Sequence, residues 1–168
     1  MDEGKIMVPT EKNPFNSPFE AGIRSVVILT AAFPSAFDLQ RLVVFDYLTV
    51  HSGDADGPQS LHPPVPLRSG ELLVRRSLIE RGLSLMQSRK LVARELLSSG
   101  ISFKATEESE PFLSALSSNY LIQLRLRAAW AVEVFGSFNA EDLASRTSTL
   151  LKRWNTEFEG RQTPGELF

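Results

Sequence analysis

The chain has 168 residues, of which 42% are hydrophobic and 23% charged, a balance that can build a core without metals or disulfides. It contains no cysteine, which excludes a disulfide framework, thiolate metal sites and a cysteine nucleophile. The net charge of −2 argues against a protein that coats nucleic acid non-specifically, although a local basic face is still compatible with it.

The sequence shows no feature of a membrane or secreted protein. Its apolar runs are far shorter than the ~20 residues that a membrane-spanning helix needs. The opening Met-Asp-Glu-Gly-Lys is charged and precedes no apolar signal region. We therefore expect a cytoplasmic protein, with which the lack of cysteine is compatible.

The first part of the chain predicts an arm followed by a well-marked helix. Residues 1–16 contain prolines and asparagines without periodicity, which is typical of an N-terminal arm. The helix begins with Ser17 as its cap, Pro18 at its first position and Glu20 completing a capping box. Pro34 forces its end. The side chains expected on its buried stripe are Phe19, Ile23, Val26, Val27 and Thr30.

A second helix is predicted with Ser35 as its cap and Asp38 in its first turn. It is apolar nearly all round as far as Val50, so we expect it at the centre of the domain. A Pro/Gly-rich loop at 52–68 follows, in which two glycines and four prolines predict no regular element. A connection of this length is usually functional.

A third helix is predicted from about Gly70 to Ser88, with Ser69 as its cap. Gly82 lies inside it and indicates either a close packing contact or a break. The side chains expected on its inner face are Leu72, Leu73, Ile79, Leu83 and Met86.

The period then changes, because residues 91–97 and 101–105 flank a short polar turn and alternate as strands do. This pattern predicts a β-hairpin. Thr106, with two glutamates after it, opens a further helix, and Pro111 is close enough to its start to be tolerated.

Two longer amphipathic helices complete the chain. The first has the inward stripe Leu121, Leu124, Ala128, Val132 and Phe135. The second has Asn139 as its cap and the stripe Leu143, Thr147, Leu150, Leu151, Trp154 and Phe158. Trp154 and Phe158 have two interpretations, packing in the core or anchoring a helix-in-groove contact with a partner.

This order of elements predicts a mostly α (α+β) fold, because three helices followed by a hairpin resemble a winged helix. The winged-helix-like domain covers residues 17–118 and has one β-hairpin wing. A C-terminal helical extension at 119–160 packs on it, and residues 161–168 form a tail.

The strongest charge feature is the third helix with its exit. Seven basic residues and only two acidic ones lie between positions 68 and 94. On a winged helix this element can contact a DNA major groove, and the other interpretation is a solvated face or a salt-bridged subunit interface. The basic residues are Arg68, Arg75, Arg76, Arg81, Arg89, Lys90 and Arg94.

Catalytic and metal motifs are not supported. His51 and His62 are the only histidines, and their spacing from Asp46 does not match a helical metal pair, so His51 is interpreted as the end of a helix. Ser52 adjoins His51 but cannot form a nucleophile–base pair with it, and no phosphate-binding glycine loop occurs. The acidic pairs at 107–108 and 141–142 are explained by the dipole of a first helical turn. We expect no enzyme activity, no cofactor and no metal.

Several separated blocks carry a family resemblance. They are NPFNSPFEAGIR (13–24), LTAAFP (29–34), FDLQRL (37–42), DYLTVHSGD (46–54), SLHPP (60–64) and RSGELLVRR (68–76). Together they resemble the middle component of bacterial ABC-three-component systems, the group that includes Lamassu-type anti-phage defence. The resemblance spans roughly residues 13 to 135.

The resemblance implies a non-catalytic bridge between the heads of an SMC-like ABC ATPase and an effector, often a nuclease, in anti-phage or anti-plasmid defence. It places partner contacts in irregular backbone and at helix ends. The implied partner-binding residues are Asn13, Phe15, Asn16, Arg41, His51, Asp54, His62, Pro63, Arg68 and Glu71. Substituting Arg75 and Arg76 together is then expected to weaken assembly or DNA-linked activation.

The alternative function is a dimeric winged-helix transcriptional regulator that binds DNA through its third helix. Tight operator binding with a steep salt dependence would distinguish it. A hydrolase that uses His51 or His62 is the least supported interpretation.

Overall fold

A computed structural model of the chain describes residues 17–64 and 71–161, apart from the side chains of residues 71, 72 and 151–161. Six α-helices and three short strands lie in this part of the chain. In chain order they are α1 (Pro18–Ala32), β1 (Phe37–Asp38), α2 (Leu39–Val50), α3 (Glu71–Ser88), β2 (Val92–Leu97), β3 (Gly100–Ala105), α4 (Ser109–Ser114), α5 (Asn119–Phe135) and α6 (Ala140–Arg161). The fold is therefore mostly α with a small antiparallel sheet, as predicted.

The sheet has the strand order β1-β3-β2. β2 and β3 form the predicted hairpin, from the pair Val92 and Ala105 to the pair Leu97 and Gly100. Gly100 has φ +124°, a conformation that L side chains rarely adopt, so a glycine suits the end of the two-residue turn. β1 was not predicted, and its Phe37 pairs with Phe103 of β3.

The start of α1 follows the sequence prediction, and the start of α2 does not. Ser17 Oγ accepts a hydrogen bond from the Glu20 backbone N–H at 3.1 Å. For α2 the predicted cap Ser35 was wrong, because residues 37–38 form a strand and the helix begins after it. Asp38 caps α2 instead, and its Oδ1 accepts from the Arg41 backbone N–H at 2.7 Å.

α1 and α3 cross at two glycines. A Cβ added at Gly82 would lie 2.4 Å from the Gly22 backbone nitrogen and 2.6 Å from the Pro18 carbonyl oxygen. α3 continues unbroken through Gly82. Of the two interpretations of Gly82, the close packing contact is therefore confirmed and the helix break is wrong.

The core lies among α1, α2, α3, α5 and the sheet. α2 is its central helix, as predicted, and Phe45, Leu48 and Val50 are fully buried. On α3 the inner face is confirmed by Ile79, Leu83 and Met86, all at most 1% exposed. Leu143 and Thr147 of α6 are also buried, and the stripe predicted for α5 faces the core.

Two predicted core side chains were wrong. Phe19 is 45% exposed and Leu73 is 71% exposed, because each lies near the first turn of its helix, where fewer neighbours cover it. The predicted absence of regular structure after α2 was also wrong at residues 52–55, which form one 3-10 turn.

α4 begins at Ser109, so the two glutamates at 107–108 form a turn before the helix rather than its first turn. Thr106 organises that turn, since its Oγ1 accepts from the Glu108 backbone N–H at 3.3 Å and donates to the Lys90 carbonyl oxygen at 2.7 Å. The predicted cap Asn139 is confirmed, because its Oδ1 accepts from the Asp142 backbone N–H at 2.8 Å. The arm at 1–16, Ser69, the end of the loop at 65–68 and residues 162–168 lie outside the described residues, as do the side chains of Leu72, Leu151, Trp154 and Phe158.

Candidate functional site

A buried ionic cluster joins the first three helices. The carboxylate of Asp46, on α2, has no exposed surface. Arg24 of α1 donates to it through Nε at 2.7 Å, and Arg75 of α3 donates through Nη1 at 2.5 Å. Burial opposes the charged form of Asp46, but the two guanidinium groups hold its pKa below the ordinary value. Arg75, which we expected at a DNA or partner surface, therefore ties α3 to α2.

A second set of polar side chains extends this cluster toward the loop after α2. Tyr47 donates from its hydroxyl to Asp54 Oδ2 at 2.6 Å, and its ring lies 5.0 Å from that of His51. His51 is buried at the end of α2, where its N–H donates to the Tyr47 carbonyl oxygen. Burial, and then the charge of Arg75, lower the pKa of His51 to about 4, so it is neutral at pH 7.

The start of the Pro/Gly-rich loop is held against the end of α2. The backbone N–H groups of Leu61 and His62 both donate to the Val50 carbonyl oxygen, at 3.0 and 3.1 Å. His62 Nε2 lies 2.7 Å from the hydroxyl of Tyr120 on α5, with the two rings stacked. Burial, followed by the charge of Arg24, lowers the pKa of His62 to about 4. Sequence blocks far apart in the chain therefore meet in one polar network.

A buried serine adds a further hydrogen bond between the end of α2 and the loop. Ser52 Oγ donates to the Pro58 carbonyl oxygen at 2.8 Å, and its residue is fully buried. Nowhere within residues 17–64 and 71–161 do three or more histidines or acidic residues gather as a metal ion would require. Asp46 was named in the sequence only as a possible metal ligand, and the buried role of Arg24 was missed. The signal for Asp46 is a charged residue within a helix that is apolar nearly all round, whereas the predicted stripe of α1 contains no signal for Arg24.

Arg41 is used inside the fold. Its two terminal nitrogens donate to the carbonyl oxygens of Phe138 and Gly136, at 2.8 and 2.7 Å. Its guanidinium also lies over the rings of Phe37 and Phe45, 4.8 and 5.2 Å from their centroids. Arg41 thus clamps the connection between α5 and α6 onto the start of α2.

The basic residues predicted on the third helix and its exit lie on α3, directly after it and on β2. Arg76 is half-exposed and lies 3.8 Å from Glu80. The guanidinium of Arg89 lies 5.3 Å from the centre of the Phe19 ring. Arg81, Lys90 and Arg94 are exposed.

Exposed apolar side chains accompany these arginines, and they were missed by the sequence prediction. On α3, Leu73 is 71% exposed and Val74 is 59% exposed. On the wing, Leu96 is 84% exposed and lies beside the exposed Ile101 across the hairpin. We use the name apolar face for these four residues, which lie as two pairs, one at the start of α3 and one on the wing. Clusters of exposed apolar side chains mark interaction surfaces.

A groove of about 540 Å³ lies beside this face, between α2, the start of α3 and α6. Its apolar walls include Val43, Leu73 and Leu143, and Arg76 stands among its lining residues. The groove thus combines apolar side chains with a cationic one.

The remaining predicted contact residues have the following positions. Asp54 is half-buried beside Tyr47, and Pro63 is exposed. Asn13, Phe15, Asn16 and Arg68 lie outside the described residues, as does the side chain of Glu71. None of the helices in the described part of the chain is long and apolar enough to cross a membrane.

Comparison with protein-family models places the chain in a known family. The model of Middle Component 2 (MC2) of ABC-three-component (ABC-3C) systems matches residues 14–157. Neither a curated protein nor a solved structure matches the chain significantly.

Proposed function

This chain belongs to the Middle Component 2 family of ABC-three-component systems, and we propose that within such a system it is a non-catalytic adaptor that bridges the ATPase and the effector. The coarse role, an accessory component of a multi-subunit system, follows from the family. In the finer proposal, one partner is a Lamassu-type, SMC-like ATPase and the other is a nuclease effector. The complex then acts in defence against phage or plasmids.

The observation that carries the adaptor proposal is the apolar face. A winged helix that reads DNA presents phosphate-binding and base-reading side chains on its third helix and wing. Here those two elements expose Leu73, Val74, Leu96 and Ile101. Covering these apolar side chains with a protein removes them from water and lowers the free energy. The surface therefore favours a protein partner.

The connectivity supports a winged-helix-like domain as the scaffold of the adaptor. The chain order α1–β1–α2–α3–β2–β3 and the strand order β1-β3-β2 resemble those of a winged helix. In related helix-turn-helix domains the recognition helix is exposed for contact with a ligand. The same order is the observation that favours the second candidate, a DNA-binding regulator, with Arg81 and Arg94 as its exposed cations.

The interface is tested with single charged substitutions at exposed leucines. Leu73→Glu and Leu96→Glu are expected to abolish co-purification with the ATPase, because each places an unpaired carboxylate in a buried contact. Both variants are expected to fold, since the replaced side chains are exposed. The matched control is Leu126→Glu on α5, which is also exposed and lies outside the apolar face.

Equal co-purification of all three variants would contradict the proposal. The DNA-binding regulator is favoured instead if the unmodified chain alone binds a specific DNA site at sub-micromolar concentration with a steep salt dependence. A substitution of Arg75 is unsuitable as a test of the interface, because it would also remove a positive charge that neutralises the buried Asp46.

A further inference from the structure

The sheet has an open edge along β2. In the strand order β1-β3-β2, this strand lies at the end of the sheet and pairs with β3 alone. Arg94 and Leu97 on β2 are exposed, and Leu96 is 84% exposed, so the described elements leave the side chains of its outer half uncovered. An edge strand of this kind presents backbone N–H and C=O groups that a strand of another chain can pair with.

The register shows which backbone groups of β2 point outward. The Thr106 N–H donates to the Leu91 carbonyl oxygen at 3.4 Å, so these two residues form a hydrogen-bonded pair. Bonded and non-bonded pairs alternate along an antiparallel ladder. The backbone groups of Glu95 therefore point toward β3, and those of its neighbours Arg94 and Leu96 point away from it. These two neighbours leave N–H and C=O groups for a further strand.

The side chains of the same residues specify what that strand carries. Arg94 and Leu96 lie on one face of β2, because alternate residues of a strand share a face. Glu95, on the other face, already has a cation, with Lys104 Nζ 2.9 Å from its Oε1. Within the described residues no carboxylate pairs with Arg94, which is exposed. The complementary strand has an acidic side chain opposite Arg94 and an apolar one opposite Leu96.

A second copy of this chain does not have the required pattern. Twofold antiparallel pairing centred on Arg94 or on Glu95 places that residue opposite the same residue of the other copy, and like charges directly opposite are destabilising. Centring on Ala93 or on Leu96 pairs only about three residues of each strand, because β2 covers Val92–Leu97. The edge therefore favours a segment of a different protein.

We propose that the edge of β2 binds an extended segment of another subunit as an added strand, with an acidic residue opposite Arg94 and an apolar residue opposite Leu96. Main-chain hydrogen bonds provide the affinity in this mode of binding, and the alternate side chains provide the specificity. The inference rests on the adaptor role, since it describes how one of the adaptor's partners is bound.

The first test is amide hydrogen exchange, read residue by residue, of the unmodified chain alone and in its complex with the ATPase and the effector. In the chain alone, the amides of Arg94 and Leu96 are expected to exchange faster than those of Ala93 and Glu95, which bond to β3. In the complex, the amides of Arg94 and Leu96 are expected to exchange at least about tenfold more slowly than in the chain alone.

This experiment separates the failure of the strand pairing from the failure of the adaptor role. If no complex forms, the adaptor role is contradicted and the strand pairing is overturned with it. If a complex forms in which the amides of Arg94 and Leu96 exchange as fast as in the chain alone, only the strand pairing is overturned.

The second test separates backbone pairing from the covering of one side chain. Leu96→Ala removes the side chain, and Leu96→Pro removes the outward N–H as well. Proline is tolerated on an edge strand where its missing N–H would face solvent. We expect Leu96→Pro to bind the ATPase and the effector at least about tenfold more weakly than Leu96→Ala, because a partner carbonyl loses its donor. Equal affinities would overturn the inference.

Arg94→Glu tests the charge without changing the backbone, and it is decisive if Leu96→Pro loses the slow exchange at Glu95 and thus the hairpin. A carboxylate at position 94 would face the acidic side chain of the added strand, so binding is expected to weaken about fivefold or more. Arg146→Glu, at an exposed position of α6, makes the same change of charge and is the matched control. Equal binding by these two variants would contradict the proposed strand.

Discussion

At the scale of single residues, the buried charge of Asp46 governs the packing of three helices. Its carboxylate has no exposed surface and is neutralised by Arg24, which is nearly buried, and by Arg75. An ion pair of this kind contributes little net stability compared with an apolar replacement. Removing only one member is costly, however, because the charge balance of the buried cluster is lost.

We predict that Asp46→Asn lowers the free energy of unfolding by about 3–5 kcal/mol, since it removes the buried negative charge that Arg24 and Arg75 both contact. Urea denaturation followed by circular dichroism measures this change. The control is Glu95→Gln, which removes the partially exposed pair between Lys104 and Glu95 and is expected to cost less than about 1 kcal/mol. Similar losses in the two variants would refute the role assigned to Asp46.

The two histidines make stability depend on pH. Their pKa values are about 4 in the folded chain and 6.5 in the unfolded chain. Between these values the unfolded state holds the protons and the folded state does not, so lowering the pH favours unfolding. The histidine contribution is therefore complete above pH 6.5 and is lost as the pH falls toward 4.

We expect the urea concentration at the unfolding midpoint to decrease as the pH is lowered from 7 to 5. We expect this decrease to be smaller in the His51→Gln variant. The pKa values themselves are measurable from the imidazole proton shifts, because the chain has only two histidines. An imidazole pKa near 6.5 for His51 would show that this ring is not held in the buried, neutral state.

At the scale of elements, the crossing of α1 and α3 depends on two glycines. Gly82→Ala is expected to destabilise the chain by about 1–3 kcal/mol, because the added Cβ would clash with the backbone of α1. Helix propensity alone would give the opposite sign, since alanine is favoured over glycine by ~1 kcal/mol in a helix interior. Thermal unfolding decides between the two effects, and a stabilised Gly82→Ala would contradict the close approach. Ser84→Ala, at an exposed position of the same helix, is the control.

The elements that could be predicted from the sequence are those specified by nearby residues. Ser17, Pro18 and Glu20 mark the start of α1 within four positions, and the hairpin alternates on both sides of its turn. β1 has only two residues and exists through its pairing with β3, so no local pattern indicates it. Because β1 occupies residues 37–38, α2 is capped by Asp38 and not by the predicted Ser35.

The candidate surface was less predictable for the same physical reason. Amphipathic spacing assigns arginines to solvent and leucines to the core, which is wrong for Arg24 and for Leu73. Whether a side chain is covered depends on which elements cross it, and the sequence pattern of one helix does not contain that information. The network that joins Tyr47, Asp54 and His62 likewise requires the folded chain.

At the scale of the whole molecule, the chain combines a helical core with an apolar face on its third helix and wing. The polar network joins α1, α2, α3 and the loop after α2, with Asp46 and His51 buried at its centre. Exposed apolar side chains on α3 and the wing, among them Leu73 and Leu96, offer surface that a partner can cover. This division of roles is what an accessory component of a multi-subunit system requires.

The most direct test of the adaptor role is co-expression of the unmodified chain with the ABC ATPase and the effector of the same system, followed by size-exclusion chromatography with light scattering. We predict one stable complex that contains all three proteins and whose mass gives their stoichiometry. A chain that elutes as a monomer or a homodimer, without either of the other two proteins, would contradict the adaptor role.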